Sequence, residues 1–475
     1  MIQNEKLLFG NNSEIHHIHM LGINGISMSG LAELLIERGY RISGSDLSVS
    51  KRTERLRGMG AQIFSGNHRD NIQNPDLVVY TAAIQPDNPE FVCAQERRIP
   101  LMERAVLLGL IMAAYKNSVA ICGTHGKTTT TSMLTEILIH ANMAPTIHIG
   151  AEYAPINGGT MIGSSDIFLA EACEYKDSFL KFHPSTAVIL NVDFDHADYF
   201  HDLDQVKSSF LSFSKQAAHS IIANGDDPNV RSIYETFPQS EKQKWLLFSV
   251  KSNDAAFAAK NISFNDQDCA SFDLHPPSAY SISPFRLDLQ VPGRHNLYNA
   301  LAAASAALLL GCSIDAVHSG LRNFGGAKKR FELKGTFNDI TVIDDYAHHP
   351  TEIKPTLLTA FHRAKGAKVW CVFQPHTYSR TKSFLEDFAA AFQHVHKVIL
   401  PDIYAAREAD PGDISSKILA DEINKKSRNA IYIKDGFQAI ADYILENANP
   451  GDIVITMGAG EAVKVADILL KPIDK

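Results

Sequence analysis

The run Gly123-Thr124-His125-Gly126-Lys127-Thr128-Thr129-Thr130 carries the most legible chemistry in this chain of 475 residues. Glycines at 123 and 126 let backbone N–H groups turn inward around phosphate oxygens, and a following helix N-terminus adds positive potential. Lys127 suits contact with the β- and γ-phosphates of a nucleotide, and the Thr128 hydroxyl suits a Mg²⁺ ion. The usual phosphate-loop spacing calls for a glycine where Ile121 stands, so the pattern is a shortened G-x-x-G-K-T form. A Gly/Thr-rich turn that merely opens a helix is the plainer reading. Lys-Thr directly after the second glycine, with an apolar strand before and a helical pattern after, favours phosphate binding.

Two acidic stretches follow strands of buried type. The first is Glu171-Ala-Cys173-Glu174-Tyr-Lys-Asp177, after Asp166–Ala170. The second is Asn191-Val-Asp193-Phe-Asp195-His196-Ala-Asp198. Acids at the C-terminal ends of parallel strands beside a phosphate loop can hold Mg²⁺ on a nucleotide. Taken alone, the second stretch would be a solvated loop; beside the phosphate loop, both strand ends should face one crevice. His196 can ligate a metal through neutral imidazole. Zinc is disfavoured, because neither a thiolate nor a second histidine stands at ligand spacing there.

Other polar clusters leave alternatives open. Gly22, Asn24, Gly25, Ser27 and Gly30 join a strand to a helix in a loose version of a dinucleotide fingerprint. A diphosphate at that helix N-terminus and a merely tight turn are both physically reasonable. Asp46 is placed where such folds contact a ribose or base, or it is a solvated turn residue. His295, Asn296 and Asn299 precede an Ala/Leu-rich helix, where residue type favours capping over reading an adenine edge. In the last third, Asp344-Asp345-Tyr346-Ala-His348-His349 and Gln374-Pro-His376-Thr-Tyr-Ser-Arg380 each follow a strand of buried type. Polar residues gathered at such strand ends are more often functional than packing.

Three strand-then-helix segments must position these groups. The first has a strand near Ile15–Leu21, a helix near Ser29–Arg38, a turn at Ser43-Gly44-Ser45-Asp46 and a strand at Leu77–Thr81. The second opens at Asn117 with the strand Ser118–Cys122, then strands at Asp166–Ala170, Thr186–Asn191 and Ser220–Ala223. An antiparallel stretch follows over about 245–290, then a helix from Asn296 to Leu310. The third has strands at Ile340–Ile343, Lys368–Phe373, Lys397–Pro401, Ala430–Ile433 and Asp452–Met457. The alternation predicts three α/β domains with mainly parallel sheets, 1–115, 116–326 and 327–475.

Composition narrows the function classes. Lys+Arg 45 against Asp+Glu 53 gives a net charge of −8 without a basic stripe, which argues against a nucleic-acid partner. Six cysteines stand singly, so reduced thiols in a cytoplasm are expected rather than disulfides. The N-terminal stretch lacks the apolar segment of a signal peptide, and the longest near-apolar run, Ala300–Leu310, is too short to insert in a membrane.

Together, GTHGKTTT, EACEYKDSFL, NVDFDHADYF, PGRHNLYNALAA, KKRFELKG, DDYAHHPTE and FQPHTYSRT resemble the Mur ligase family, in that family's order and over nearly the whole chain. HMLGINGISMSGLAE and the last two stretches are most similar to the member that adds L-alanine. The resemblance implies a Rossmann-like N-terminal domain, a central P-loop ATPase-like domain and a Rossmann-like C-terminal domain. It also implies an ATP-dependent ligase, using Mg²⁺, that joins L-alanine to UDP-N-acetylmuramate through an acyl phosphate; a recycling ligase that adds a whole peptide is the near alternative. By resemblance, Gly123–Thr129, His295, Asn296 and Asn299 serve ATP, and Thr128, Glu171 and His196 hold Mg²⁺. Arg330 and Asp345 complete the catalytic site with Lys127 and His196. His348 and Arg380 orient L-alanine, and Gly22, Asn24, Gly25, Ser27 and Asp46 hold the UDP moiety. The chain departs from the family at Asn24 and Ser27, where glycines are common, at Cys173, where aspartate is common, and at Thr377, where a second arginine is expected. A carbamylated lysine is not assigned, and either a monomer or a homodimer fits.

Overall fold

A computed structural model describes residues 14–406 and 408–471, so the expectation for the extreme N-terminus falls largely outside the described residues. Three sheets follow one another along the chain. The first has the parallel order Gln62–Ser65, Arg41–Asp46, His17–Leu21, Leu77–Tyr80, Leu101–Glu103. Ser43–Asp46 is therefore a strand, not the turn expected from its Ser/Gly composition. Small residues are needed there because a Cβ on Gly44 would lie 2.6 Å from the Met20 carbonyl oxygen. Ser43 and Ser45 satisfy their buried hydroxyls on His17, His19 and Glu90. The helix after the first strand runs Ile26–Glu37, starting three residues earlier than the apolar pattern suggested.

The second sheet has ten strands, in the order Phe285–Pro292, Cys269–His275, Phe257–Phe264, Trp245–Ser249, Ser220–Asn224, Thr186–Ile189, Asn117–Cys122, Ile167–Glu171, Thr146–Tyr153, Gly158–Met161. The 245–290 stretch is antiparallel only in part. Trp245–Ser249 pairs parallel with both of its neighbours, and the antiparallel ladder begins beyond Phe257. The Thr-rich helix Lys127–His140 is buried along most of its length. Thr131 and Thr135 donate their hydroxyls to the carbonyls one turn back, at 2.8 Å each, so β-branched polar residues are tolerated in a buried helix.

The third sheet has the order Glu332–Phe337, Ile340–Asp345, Ile453–Met457, Val369–Phe373, Lys397–Leu400, Ala430–Tyr432, parallel except for its first strand. Among the described residues no helix is long and apolar enough to cross a membrane, and all six cysteines are free.

The apolar cores show how these units are joined. One continuous core runs from Ile18 and Leu31 of the first sheet's layer to Phe179 and Phe210 of the second. The third sheet has its own cores on its two faces, and Phe194 is the partly buried residue that packs against both the first core and one of these. The third unit thus meets the rest of the molecule mainly through polar contacts.

Candidate active site

Glu171 pairs in register with Ile121, one strand over from the phosphate loop, so the acidic strand end lies beside that loop. The loop itself is built by tight approaches. Gly126 has φ +86°, and a Cβ there would stand 2.6 Å from the Asn299 side-chain oxygen. Asn191 clamps the loop reciprocally, accepting from the His125 amide at 2.8 Å and donating to the His125 carbonyl at 3.0 Å. The Asp193 amide donates to the Thr124 hydroxyl at 2.9 Å. Asn191 and Asp193 lie in a stretch that the sequence marked as acidic, without revealing this bracing role.

Lys127 donates to Glu174 at 2.8 Å and to the Gly123 and Thr124 carbonyls at 2.6 and 3.2 Å. Burial opposes its charge, but Glu174 outweighs burial and raises its pKa. Glu174 is itself buried and also faces His196, at 3.7 Å. The structure therefore adds Glu174 to the expected site residues. Asp177 and Asp198, by contrast, bind the Tyr199 and Tyr175 hydroxyls at 2.6 Å and are structural.

Thr128 and Glu171 are in contact, and burial pushes the Glu171 carboxyl up against the pull of Thr128 and Lys127. One buried oxygen of Glu171, Oε1, has no hydrogen-bond partner among the described residues, and neither does Oε1 of Glu174. Unpaired buried carboxylate oxygens beside a hydroxyl and an imidazole are a donor set that fits Mg²⁺. His196 is held with φ +56° and its ring packs tilted against Tyr175, at 4.7 Å between centroids. Glu171→Gln is expected to raise the Mg²⁺ concentration needed for half-maximal ligation by about tenfold or more, measured as the Mg²⁺ dependence of ADP release.

Asn296 is not a helix cap. The helix starts at Arg294, and Asn296 lies inside it, donating to the Pro292 carbonyl at 2.7 Å and accepting from Asn299 at 3.1 Å. Both asparagines and His295 line a cavity of about 810 Å³ together with Gly126, Arg330 and Glu352.

Across this cavity stands the third sheet. Asp345 gives both carboxylate oxygens to backbone, accepting from Phe331 and Ala347 at 2.7 Å each. It therefore braces the loop that carries Arg330, while burial pushes its pKa up to about 6. His348 donates Nδ1–H to the Tyr346 carbonyl at 2.9 Å, which leaves Nε2 as an acceptor. Burial lowers its pKa to about 4, so it is neutral near pH 7. Glu352, which the sequence left without a role, stands 3.3 Å from His125, 3.7 Å from Arg330 and 3.6 Å from His348.

Arg380 is engaged rather than free. Its Nε and Nη2 reach Asp195 at 3.0 Å each, and Nη1 meets His376 at 3.0 Å. Burial opposes the Asp195 charge, but Arg380 and then His196 hold it well below the usual carboxylate range. Thr377, at the position where arginine was expected, caps the short helix bearing Arg380.

His125 bridges Asp193 and Glu352, each at 3.3 Å, and Thr351 donates to Asp193 at 2.7 Å. Burial disfavours the His125 charge, but the two carboxylates outweigh it and push the pKa up to about 9. Because that value lies above the ordinary 6.5, the bridge is at full strength below about 6.5 and is lost as pH rises through about 9. Asp193, held down at about 2 by His125 and Thr351 against burial, keeps its share until pH falls through about 2. Raising pH from 7 to 10 is expected to lower the hydrogen-exchange protection factor, corrected for the base-catalysed intrinsic rate, at the start of helix Pro350–Ala364, a pH dependence that His125→Gln should flatten.

Of the residues expected to hold UDP, Asn24 and Asp46 meet in the first unit. The Asn24 amide donates to Asp46 at 3.1 Å, and Asn24 Nδ2 donates to Ser48 at 2.9 Å. Asp46 is thus occupied in joining two loops. Gly22 takes φ +76°, and the Gly25 amide returns to the Gly22 carbonyl at 3.1 Å. Ser27 faces the second sheet, bonded to His148 at 2.8 Å and to Arg104 at 3.0 Å.

Comparison with known proteins identifies the family. Residues 17–116 match the Mur ligase family catalytic domain, 121–307 the Mur ligase middle domain, and 329–460 the Mur ligase glutamate ligase domain. A UDP-N-acetylmuramate–L-alanine ligase of Acetivibrio thermocellus is 47% identical over 98% of both chains. One of the same name from Clostridium tetani is 44% identical over 96% of this chain and 98% of its own. The crystal structure of the UDP-N-acetylmuramate-alanine ligase of Thermotoga maritima superposes with a TM-score of 0.78 at 27% identity, covering 96% of this chain and 98% of that one. A murein peptide ligase of Psychrobacter arcticus shares the fold, with a TM-score of 0.71 at 24% identity over 96% and 98%. The chain belongs to the Mur ligase family.

Proposed function

We propose that this chain uses ATP to join L-alanine to the carboxylate of UDP-N-acetylmuramate, in the synthesis of peptidoglycan precursor. The observation that carries the proposal is one cavity lined by Gly126 and Thr129 of the phosphate loop and its helix and by Arg330 and Glu352 of the third unit, with Lys127, next in the chain to Gly126, paired to Glu174. The near-full-length identity to L-alanine ligases supports the choice of substrates.

A free carboxylate is a poor acyl donor, so the muramoyl carboxylate attacks the γ-phosphate of ATP and becomes an acyl phosphate, releasing ADP. The amine of L-alanine attacks that carbonyl, and phosphate leaves from the tetrahedral intermediate. Lys127 and the loop amides offset charge on the transferring phosphoryl group. Thr128, Glu171 and His196 would hold Mg²⁺, which would supply Lewis-acid stabilisation of the same charge. Arg330, held by Glu352, faces the cavity from the opposite wall. His348, neutral with Nε2 accepting, orients the neutral amine, and the proton that the amine sheds on attack passes to water or to the departing phosphate, since His348 is too weak a base to keep it. Docking of the third unit excludes water from the acyl phosphate. Arg380 orients the L-alanine carboxylate in exchange for Asp195. The protein works as a monomer or homodimer in the cytoplasm, with no nucleic-acid partner and no insertion in a membrane.

The test is phosphate release with UDP-N-acetylmuramate and each amino acid in turn, with a tripeptide as a further acceptor. L-Alanine is expected to give the fastest turnover. Faster turnover with the tripeptide, or none with any acceptor, would sink the proposal.

A further inference from the structure

Three cations of the site described above are each paired with a carboxylate. Lys127 has Glu174 at 2.8 Å, Arg380 has Asp195 at 3.0 Å and Arg330 has Glu352 at 3.7 Å. Arg104 is partly buried and has no carboxylate ion-pair partner among the described residues; its recorded partner is the neutral hydroxyl of Ser27, 3.0 Å from Nη1.

Its place in the fold is equally specific. Arg104 follows the strand Leu101–Glu103 directly, at the C-terminal edge of the first parallel sheet, where doubly wound folds bind ligands. Ser27 lies in the first turn of helix Ile26–Glu37, whose N-terminus has no side-chain cap. On the far side of Ser27 stands His148, lowered to about 3 by burial and by Arg104, so it is neutral and adds no second positive charge there. Burial lowers the Arg104 pKa as well, with Cys173 of the acidic strand end and Glu103 as the opposing influences. Keeping a guanidinium out of water without a carboxylate in ion-pair contact is costly unless an anion arrives to pair with it.

We propose that Arg104, steadied by Ser27, binds an oxyanion of the nucleotide-sugar substrate at the junction of the first and second sheets. This rests on the substrate reading above and extends it to a residue that the sequence did not single out. The chemistry is that of a planar, two-pronged donor facing a diphosphate or a carboxylate, and UDP-N-acetylmuramate carries both.

Calorimetric titration of the full chain tests it. Arg104→Gln removes the charge but keeps a donor toward Ser27, and Arg104→Lys keeps the charge without the fork. UDP-N-acetylmuramate, UDP-N-acetylglucosamine and UDP are titrated into each, with ADP as the check that the nucleotide site is intact. Arg104→Gln is expected to weaken UDP-N-acetylmuramate by about tenfold or more with ADP unchanged, and Arg104→Lys to fall between. A loss shared by all three uridine ligands supports the diphosphate as the bound oxyanion. A loss confined to UDP-N-acetylmuramate supports its lactyl carboxylate. Unchanged affinity for all three in both variants overturns the role of Arg104. Failure of the wild-type chain to bind UDP-N-acetylmuramate overturns the substrate reading itself.

Discussion

Lys127→Ala is expected to lower kcat for ligation by at least about a thousand-fold while leaving UDP-N-acetylmuramate affinity within about twofold. The lysine is the cation of the phosphate loop, held 2.8 Å from Glu174 and anchored on the Gly123 and Thr124 carbonyls. Its contribution grows as charge spreads over the transferring phosphoryl group, so its loss should fall on kcat more than on substrate binding. Alanine also leaves the buried Glu174 facing only His196 across 3.7 Å. A modest loss of stability should therefore accompany the loss of rate, readable as a lower Tm. Retained activity, or loss of UDP-sugar affinity in a folded Lys127→Ala protein, would contradict this division of roles between the units.

The second large effect is expected at Arg380. Replacing it with alanine strands Asp195, a buried carboxylate that now has Arg380 Nε and Nη2 at 3.0 Å. Breaking such a pair from one side typically costs about 3–5 kcal/mol. Because the partners sit on different units that share little apolar core, the cost should appear as undocking of the third unit rather than global unfolding. Ligation at low L-alanine is expected to fall by about a hundred- to a few-thousand-fold, those energies converted at 1.4 kcal/mol per tenfold. Asp195→Asn should cost less, since the guanidinium left behind can still meet solvent or the L-alanine carboxylate. A double-mutant cycle with Asp195→Asn and KM for L-alanine as readouts separates the two duties. If the double variant is no better than additive, the ion pair is not what docks the third unit.

Residues close in sequence were read well before any fold was known. A strand, two glycines, Lys-Thr and a helix define a phosphate loop by local geometry, and the structure places Lys127 at the start of helix Lys127–His140 as expected. The acidic strand end at Glu171 was legible for the same reason, because strand direction puts such residues at one edge of a parallel sheet.

Composition misled where tertiary packing overrode it. Ser43-Gly44-Ser45-Asp46 has turn residues but lies in a buried strand, because a neighbouring backbone leaves no room for a Cβ and the serines have buried partners. Asn296 has the residue type of a cap, but the helix already begins at Arg294. Along one strand or helix, a period of two or 3.6 residues tells which side chains share a face. It says nothing about partners on another unit, such as Asp195 and Arg380 or His125 and Glu352, which meet only because two sheets present their C-terminal edges to each other. Local order along the chain thus specified the chemical groups of this ligase, and the docking of three sheets decided which charges neutralise one another and which, at Arg104, has no carboxylate in ion-pair contact among the described residues.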